Sequence, residues 1–278
     1  MTITEPPVLY QQDGAVVTIT LNRPEVMNNF GGGLLQALGE AFTRFRDDEA
    51  AYVAILTGRG RAFCAGGDLK QMARQSESAE PAPPRPPHAV RHTIFQSAKA
   101  TRLTNIYKPI IGAINGYCFA GGLEVALCCH FRIGAESSEY GVLNRRFSVP
   151  LIDGGTVRLP AVVGLANALY LIQTGRRIDA REAQRIGLIQ EVTPDAALMD
   201  RARELAAIIA AVPQAGLRGD TEAVLRAWGR PVDDAMALEA MIGSTVLQSD
   251  DFRHGPARFA RKDFDPITGR PRSEGASG

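Results

Sequence analysis

The residues best able to do chemistry lie between Ile110 and Glu136, IIGAINGYCFAGGLEVALCCHFRIGAE. Within this stretch Gly121-Gly122 runs directly into Leu123-Glu124-Val125-Ala126-Leu127, a series of good helix formers. The glycine pair therefore marks a helix start, where main-chain N–H groups lack intrahelical acceptors. Two glycines let another molecule come close to that backbone, and a negative oxygen is the guest such donors favour. Glu124, three residues after Gly121, stays near the same end. A carboxylate beside an oxyanion site suits acid–base chemistry on a carbonyl compound. The competing reading is structural: the glycines only permit tight packing, and Glu124 is a surface residue of a helix.

The surrounding elements must position that stretch. Ile110 to Ile114 is a short apolar run and reads as a buried strand; Asn115-Gly116 ends it. Ala15 to Leu21 is rich in β-branched residues and reads as a strand, closed by Asn22-Arg23-Pro24. Leu34, Leu35, Leu38, Ala41, Phe42 and Phe45 follow a helical spacing, and Ala54-Ile55-Leu56 is a second buried strand. Alternation of this kind implies an α/β fold with helices covering the sheet. Ala73 to Pro87 holds five prolines and no apolar face. It is expected to be a mobile surface loop, either a solvated insertion or a flap over the site. Gly141 to Pro160 reads as irregular, with Asp153 as a turn or cap residue. Val162 to Gln173 reads as a helix ended by Gly175, and Asp179 as the N-cap of another. Ile189 to Val192 reads as a short strand. From Ala196 the chain patterns as helices near 197–211, 220–228 and 233–248. The reading divides the chain into a core over 1–195, a helical region over 196–265 and a disordered tail over 266–278.

The totals exclude several classes. A length of 278 residues suits one large domain with a helical appendage. A net charge of +1 gives no basic field for nucleic acid or an anionic membrane. Cys64, Cys118, Cys128 and Cys129 form no C-x-x-C pair and read as buried free thiols of a reducing compartment. The N-terminus lacks a basic n-region followed by an apolar run, and no apolar segment of about 18 residues is evident, so the expected location is cytoplasmic. No dinucleotide fingerprint, P-loop, H-E-x-x-H or G-x-S-x-G occurs, which leaves dehydrogenase, NTPase, zinc-hydrolase and serine-hydrolase readings without their main support.

Several stretches taken together resemble the crotonase superfamily, the enoyl-CoA hydratase/isomerase family. They are Val17 to Asn28 (VTITLNRPEVMN), Ile55 to Lys70 (ILTGRGRAFCAGGDLK), Lys108 to Glu136, Gly154 to Gly164 (GGTVRLPAVVG) and Thr174 to Ile189 (TGRRIDAREAQRIGLI). They keep the family's order from about residue 8 to 265. The resemblance implies a spiral of ββα units with a C-terminal helical trimerisation region, giving a homotrimer or homohexamer. It implies an acyl-CoA thioester substrate, with coenzyme A present only as part of that substrate, and no metal or separate cofactor. Two backbone N–H groups hold the thioester oxygen in this family, and here they fall on Gly67, in Ala65-Gly66-Gly67-Asp68, and on Gly121. The first catalytic carboxylate falls on Glu124. The second falls at Asn144 or Arg145, neither of which is a carboxylate, and this departure counts against ordinary hydration. In relatives such as dienoyl-CoA isomerases an acidic residue near Asp153 does the chemistry. The resemblance also points to Arg23, Val26, Ala65, Asp68 and Leu69 for the CoA arm, and to Lys262 and Phe264 for the C-terminal contribution. His130 stands where the family has an aspartate, and is given a structural role.

Three functions follow from these residues. The first is an acyl-CoA lyase of the enoyl-CoA hydratase type, with Glu124 as acid–base. The second is an enoyl- or dienoyl-CoA double-bond isomerase using Glu124 and Asp153. The third is a non-catalytic acyl-CoA-binding protein that has kept the fold.

Overall fold

A computed structural model describes residues 5–78 and 100–265. The main sheet contains β1 (Val8–Asp13), β2 (Val16–Leu21), β3 (Val53–Gly58), β5 (Ile110–Ile114), β7 (Phe131–Ala135) and β10 (Glu191–Thr193), in the order β1-β2-β3-β5-β7-β10. All neighbours are parallel except β1 and β2. A second sheet contains β4 (Ala62–Cys64), β6 (Tyr117–Phe119), β8 (Glu139–Gly141) and β9 (Arg177–Asp179), in that order. The pairs β3/β4, β5/β6 and β7/β8 each place their first strand in the main sheet and their second in the smaller one. Repetition of that step winds the chain into a spiral.

Every residue of β3 and of β5 is buried, which explains why both read as continuous apolar runs rather than alternating ones. Helix α1 (Leu34–Asp47) buries Leu34, Leu35, Leu38, Ala41, Phe42 and Phe45, the stripe its spacing predicts. These side chains join the core that also takes Ile19, Leu21, Leu56, Ile110 and Ile114. Lys108 closes the far end of α1: its Nζ donates to the carbonyls of Phe45 and Asp48 at 3.1 and 2.6 Å, a favourable place for a cation.

Helix α2 (Leu69–Ser78) overlaps the stretch expected to be a loop from Ala73, so the helix runs further than its polar composition suggested. The remainder of the expected loop, and the expected disordered tail at 266–278, lie outside the described residues. Helix α3 (Gly121–Ala126) starts where the glycine pair placed it and is only six residues long. Helix α4 (Gly155–Thr174) begins inside the stretch expected to be irregular and breaks at Gly164, whose φ of 77° and ψ of 158° are not helical. By length and composition α4 could cross a membrane, contrary to the expectation that no such segment exists. The break divides it into two pieces too short to do so, and Leu159, Val163, Ala168 and Leu171 are buried in the core. Helix α5 (Ala180–Arg185) is capped as predicted, with Asp179 Oδ1 accepting from the Glu182 N–H at 2.8 Å. All four cysteines are free, three of them buried.

Helix α6 (Leu198–Ala211) lies on the opposite face of the main sheet. Leu198, Ala202, Ala206 and Ala210 pack there against Val53, Ile55, Ile111, Ala113 and Ile133. Alanine every fourth residue lets the helix approach the sheet closely. Beyond it α7 (Gln214–Ala227) and α8 (Val232–Val246) pair through Ala223, Leu238 and Ile242, and α9 (Asp250–Arg261) packs on α7.

The alanine stripe makes a specific prediction. Ala206→Leu overfills the α6–sheet contact and is expected to cost about 1–3 kcal/mol in chemical denaturation. Ala207→Leu, on the exposed side of the same helix, is expected to stay within about 0.5 kcal/mol of the native protein.

Candidate active site

Strand pairing brings the two glycine segments together. β4 and β6 run parallel with Cys64 opposite Cys118, so the loops that follow them emerge side by side. A Cβ on Gly66, whose φ is +89°, would lie 2.7 Å from the Gly121 nitrogen. One on Gly122 would overlap the Cys64 carbonyl. Only bare backbone fits at this contact. The loop before α1 makes the third wall: Phe30 N–H donates to the Gly66 carbonyl at 2.9 Å, and Ala65 N–H to the Met27 carbonyl at 3.0 Å. Gly121 opens α3, so its N–H has no intrahelical acceptor. Among the described residues no backbone carbonyl takes the Gly67 N–H.

The turn carries backbone strain. Ala120 has φ 53° and ψ −123°, a conformation that costs a residue with a Cβ about 1–3 kcal/mol. Its N–H donates to the Gly141 carbonyl at 2.8 Å, which ties the turn to β8 and helps to hold that conformation.

Glu124 is 3% exposed, so the surface-helix reading of it does not hold. Its Oε1 accepts from the Asp153 N–H at 2.9 Å and the Gly155 N–H at 2.8 Å. A Cβ on Gly155 would lie 2.9 Å from the Glu124 Cγ, so the start of α4 must be glycine for the carboxylate to seat. Burial is the main cause that lifts the Glu124 pKa from 4.5 to about 7. The two amides oppose the rise, the Asp153 carboxylate adds to it, and Arg102 opposes it. At neutral pH both protonation states are populated.

Asp153 is buried and does not cap α4 through its side chain. Instead its Oδ1 accepts from the hydroxyl of Thr101 at 2.9 Å, and Thr101 is itself buried. Arg158 donates to the carbonyls of Asp153 and Thr101 at 3.2 and 2.9 Å, and Arg102 donates to that of Ile152. Sequence reasoning missed Thr101, Arg102 and Arg158. Thr101 is 52 residues from Asp153, and no local pattern announces such a contact.

Asn144 is buried, donates from Nδ2 to the Val149 carbonyl at 2.8 Å, and keeps a buried Oδ1 without a partner. Arg145 is exposed and donates to the same carbonyl. His130 accepts the Ile110 N–H on Nδ1 at 3.0 Å, and burial lowers its pKa to about 4. It is a neutral structural side chain at physiological pH, as expected.

The CoA-arm residues are placed unevenly. Leu69 is 41% exposed, and Met72, equally exposed, lies against Gly67. Val26 ends a 3-10 turn, Pro24–Val26, in the same loop as Phe30. Asp68 Oδ1 accepts from Gln71 N–H at 3.0 Å and caps α2; that bond is the chief reason its carboxyl titrates below the usual range. Arg23 donates to the Asn29 carbonyl and Oδ1 at 3.1 and 2.8 Å, so the residue expected to meet a phosphate is engaged in its own loop. Lys262 is the C-cap of α9, and Phe264 stacks on Phe259 with centroids 5.6 Å apart. No cluster of His, Cys, Asp or Glu suited to a metal ion is present among the described residues.

Comparison with known proteins agrees with this geometry. The family model described as enoyl-CoA hydratase/isomerase matches residues 11–267. A probable enoyl-CoA hydratase of Mycobacterium bovis is 31% identical over 268 residues, covering 96% of this chain and 100% of the relative. The carnitinyl-CoA dehydratase of Escherichia coli K12 is 34% identical over 262 residues, covering 92% and 95%. Among solved structures, an enoyl-CoA hydratase subunit from Geobacillus kaustophilus superimposes with a TM-score of 0.82 at 30% identity, over 95% of this chain and 99% of that one. The two mostly parallel sheets, the paired glycine segments and these matches over almost the whole length establish that the chain belongs to the enoyl-CoA hydratase/isomerase family and has its crotonase fold.

Proposed function

We propose that this chain is an acyl-CoA lyase of the hydratase type, adding water to a 2-enoyl-CoA or removing it. The observation that carries the reading is Glu124: a buried carboxyl with a pKa near 7, three residues after an uncommitted helix-start amide. In this reading the thioester oxygen accepts from the N–H groups of Gly67 and Gly121. They stabilise the enolate charge as hydroxide adds to the β-carbon, a contribution on the order of 3 kcal/mol per donor. Glu124 takes one proton from the attacking water. With an amide at Asn144 in place of a second glutamate, the same carboxyl then returns that proton to the α-carbon. One water is consumed and the charge on the enzyme is restored. A pKa close to ambient pH suits a group that must both accept and donate.

A second reading rests on Asp153. It is a buried carboxylate whose own N–H holds Glu124, so the two can act as a pair that moves a proton between carbons in double-bond isomerisation. The exposed apolar side chains of α7 and α8 and of the residue that ends α7, among them Val224, Trp228, Met236 and Met241, support the homotrimer or homohexamer that the family resemblance implies.

Incubation with crotonyl-CoA and longer 2-enoyl-CoAs is expected to give 3-hydroxyacyl-CoA. Glu124→Gln should lower kcat by about 10²–10⁴-fold; lack of product at every chain length would remove the hydratase reading. Asp153→Asn separates the two mechanisms. It should abolish isomerisation if Asp153 carries a proton and leave hydration largely intact if Glu124 works alone, as a matched assay on 2-enoyl and 3-enoyl substrates would record.

The raised pKa also has a thermodynamic sign. A protonated Glu124 contributes stability that is fully present below the unfolded-state value of 4.5 and is lost as pH rises through about 7. Glu124→Gln can still accept both amides and lacks this loss. Between roughly pH 5 and pH 8.5 its stability should therefore improve relative to the native protein, measured by denaturation at each pH; parallel curves would contradict the burial of an ionisable group there.

A further inference from the structure

We propose a second ligand site, for a small phosphate-bearing anion, in a cavity of about 300 Å³ between the end of α1, the segment before β5 and the first half of α7. The main-sheet strands β2, β3, β5 and β7 are parallel. The loops that carry Gly67 and Gly121 follow β4 and β6, which continue from the far ends of β3 and β5, whereas this cavity lies where α1 ends and β5 begins. It is therefore at the opposite end of the strands from Glu124.

Arg46, Lys108 and Arg218 line the cavity together with the carboxylate of Glu222. Two of these four are already paired. Arg46 is held by Asp47 through bonds of 2.7 and 3.0 Å, and Glu222 by Arg226 at 2.5 Å. Lys108 donates to two neutral carbonyls and makes no direct ion pair among the described residues. Arg218 is the informative residue. Its Nε and Nη2 are buried without an acceptor, and the Tyr52 ring, 5.2 Å from its Cζ, faces the guanidinium. Burial first and the charge of Arg218 second disfavour the charge of Lys108, while Asp48, Asp47 and Glu49 partly offset them.

Two buried guanidinium nitrogens without acceptors are costly on a half-buried side chain, and the nearby charge of Lys108 raises that cost. A single oxyanion between them would satisfy the free N–H groups, answer both charges and link α7 to the end of α1. Planar forked donors match phosphate oxygens. Asn105, Tyr107 and Ser249 add polar groups to the wall. The volume exceeds that of phosphate alone, so a phosphate monoester also fits.

The test uses the full chain in phosphate-free buffer at constant ionic strength, titrated with inorganic phosphate or glycerol 3-phosphate. Expected is a saturable rise in Tm and a matching calorimetric isotherm, with chloride at the same ionic strength giving neither. Tighter binding of glycerol 3-phosphate assigns the site to a phosphorylated metabolite, and equal or weaker binding to free phosphate. Arg218→Met should raise Tm without ligand, because it removes an unpaired buried charge, and should lose the phosphate response. Arg218→Lys, which keeps the charge but not the fork, should bind at least tenfold more weakly. The proposal is overturned if phosphate has no saturable effect on the native protein, or if Arg218→Met responds to it as the native protein does. Should Arg218→Met fold poorly, the native isotherm and Arg218→Lys decide the matter alone.

Discussion

The site depends on one close contact between main chains: the Cys64–Gly67 loop pressed against the Ala120–Gly122 turn. Parallel pairing of β4 with β6 fixes where both segments emerge. The absence of a Cβ at Gly66 and Gly122 lets them touch. The bond from the Ala120 N–H to Gly141 fastens the turn to the next strand of the same sheet, so three strands share the strain stored at Ala120. In the proposed reading the function is built from amides as much as from side chains, and amides can be placed only by the fold. That is why the small sheet, with strands of three residues each, matters more to the chemistry than the larger one. The strands β3 and β5 are buried throughout and carry no polar side chain able to reach a ligand, apart from the Thr57 hydroxyl, which is spent on the Ala113 carbonyl.

A second balance governs Glu124. Burial alone would leave the carboxyl largely protonated at neutral pH, and two amide donors alone would leave it ionised. The start of α4 supplies both influences: it covers the side chain and it offers the N–H groups of Asp153 and Gly155. Seating Asp153 in turn requires Thr101 and Arg158, which come from different parts of the chain. The Glu124 carboxyl is therefore set by a shell that is mostly main chain. Changes in that shell act through the position of the α4 start.

Much of this was legible in the sequence where the signal was local. Ile110 to Ile114 is the strand its composition indicated, α1 shows the buried stripe its spacing gave, and Asp179 caps the helix it was assigned to. Glu124 was placed at a helix start from glycine chemistry alone. What was not legible is non-local. The beginning of α4 was hidden because Gly154-Gly155 reads as loop, whereas Gly155 is there to make room for Glu124, 31 residues away. Asp153 read as a possible cap, and its actual partner, Thr101, has no sequence relation to it. The overlap of α2 with the expected loop was missed because an exposed polar helix leaves no apolar stripe to read.

The resemblance puts the family's second carboxylate at Asn144 or Arg145, and Asn144 is the buried one of the two. An amide there binds the Val149 carbonyl through its N–H group and leaves its oxygen buried and unpaired. A glutamate could not make that donor bond when ionised. Among the described residues, Asp153 is the acidic group that raises the Glu124 pKa, and its oxygen is answered by Thr101. In the proposed reading Glu124, titrating near neutrality, is left as the proton carrier. A single carboxyl that titrates near the working pH can perform both halves of a proton relay, which two strongly coupled carboxylates would divide between them.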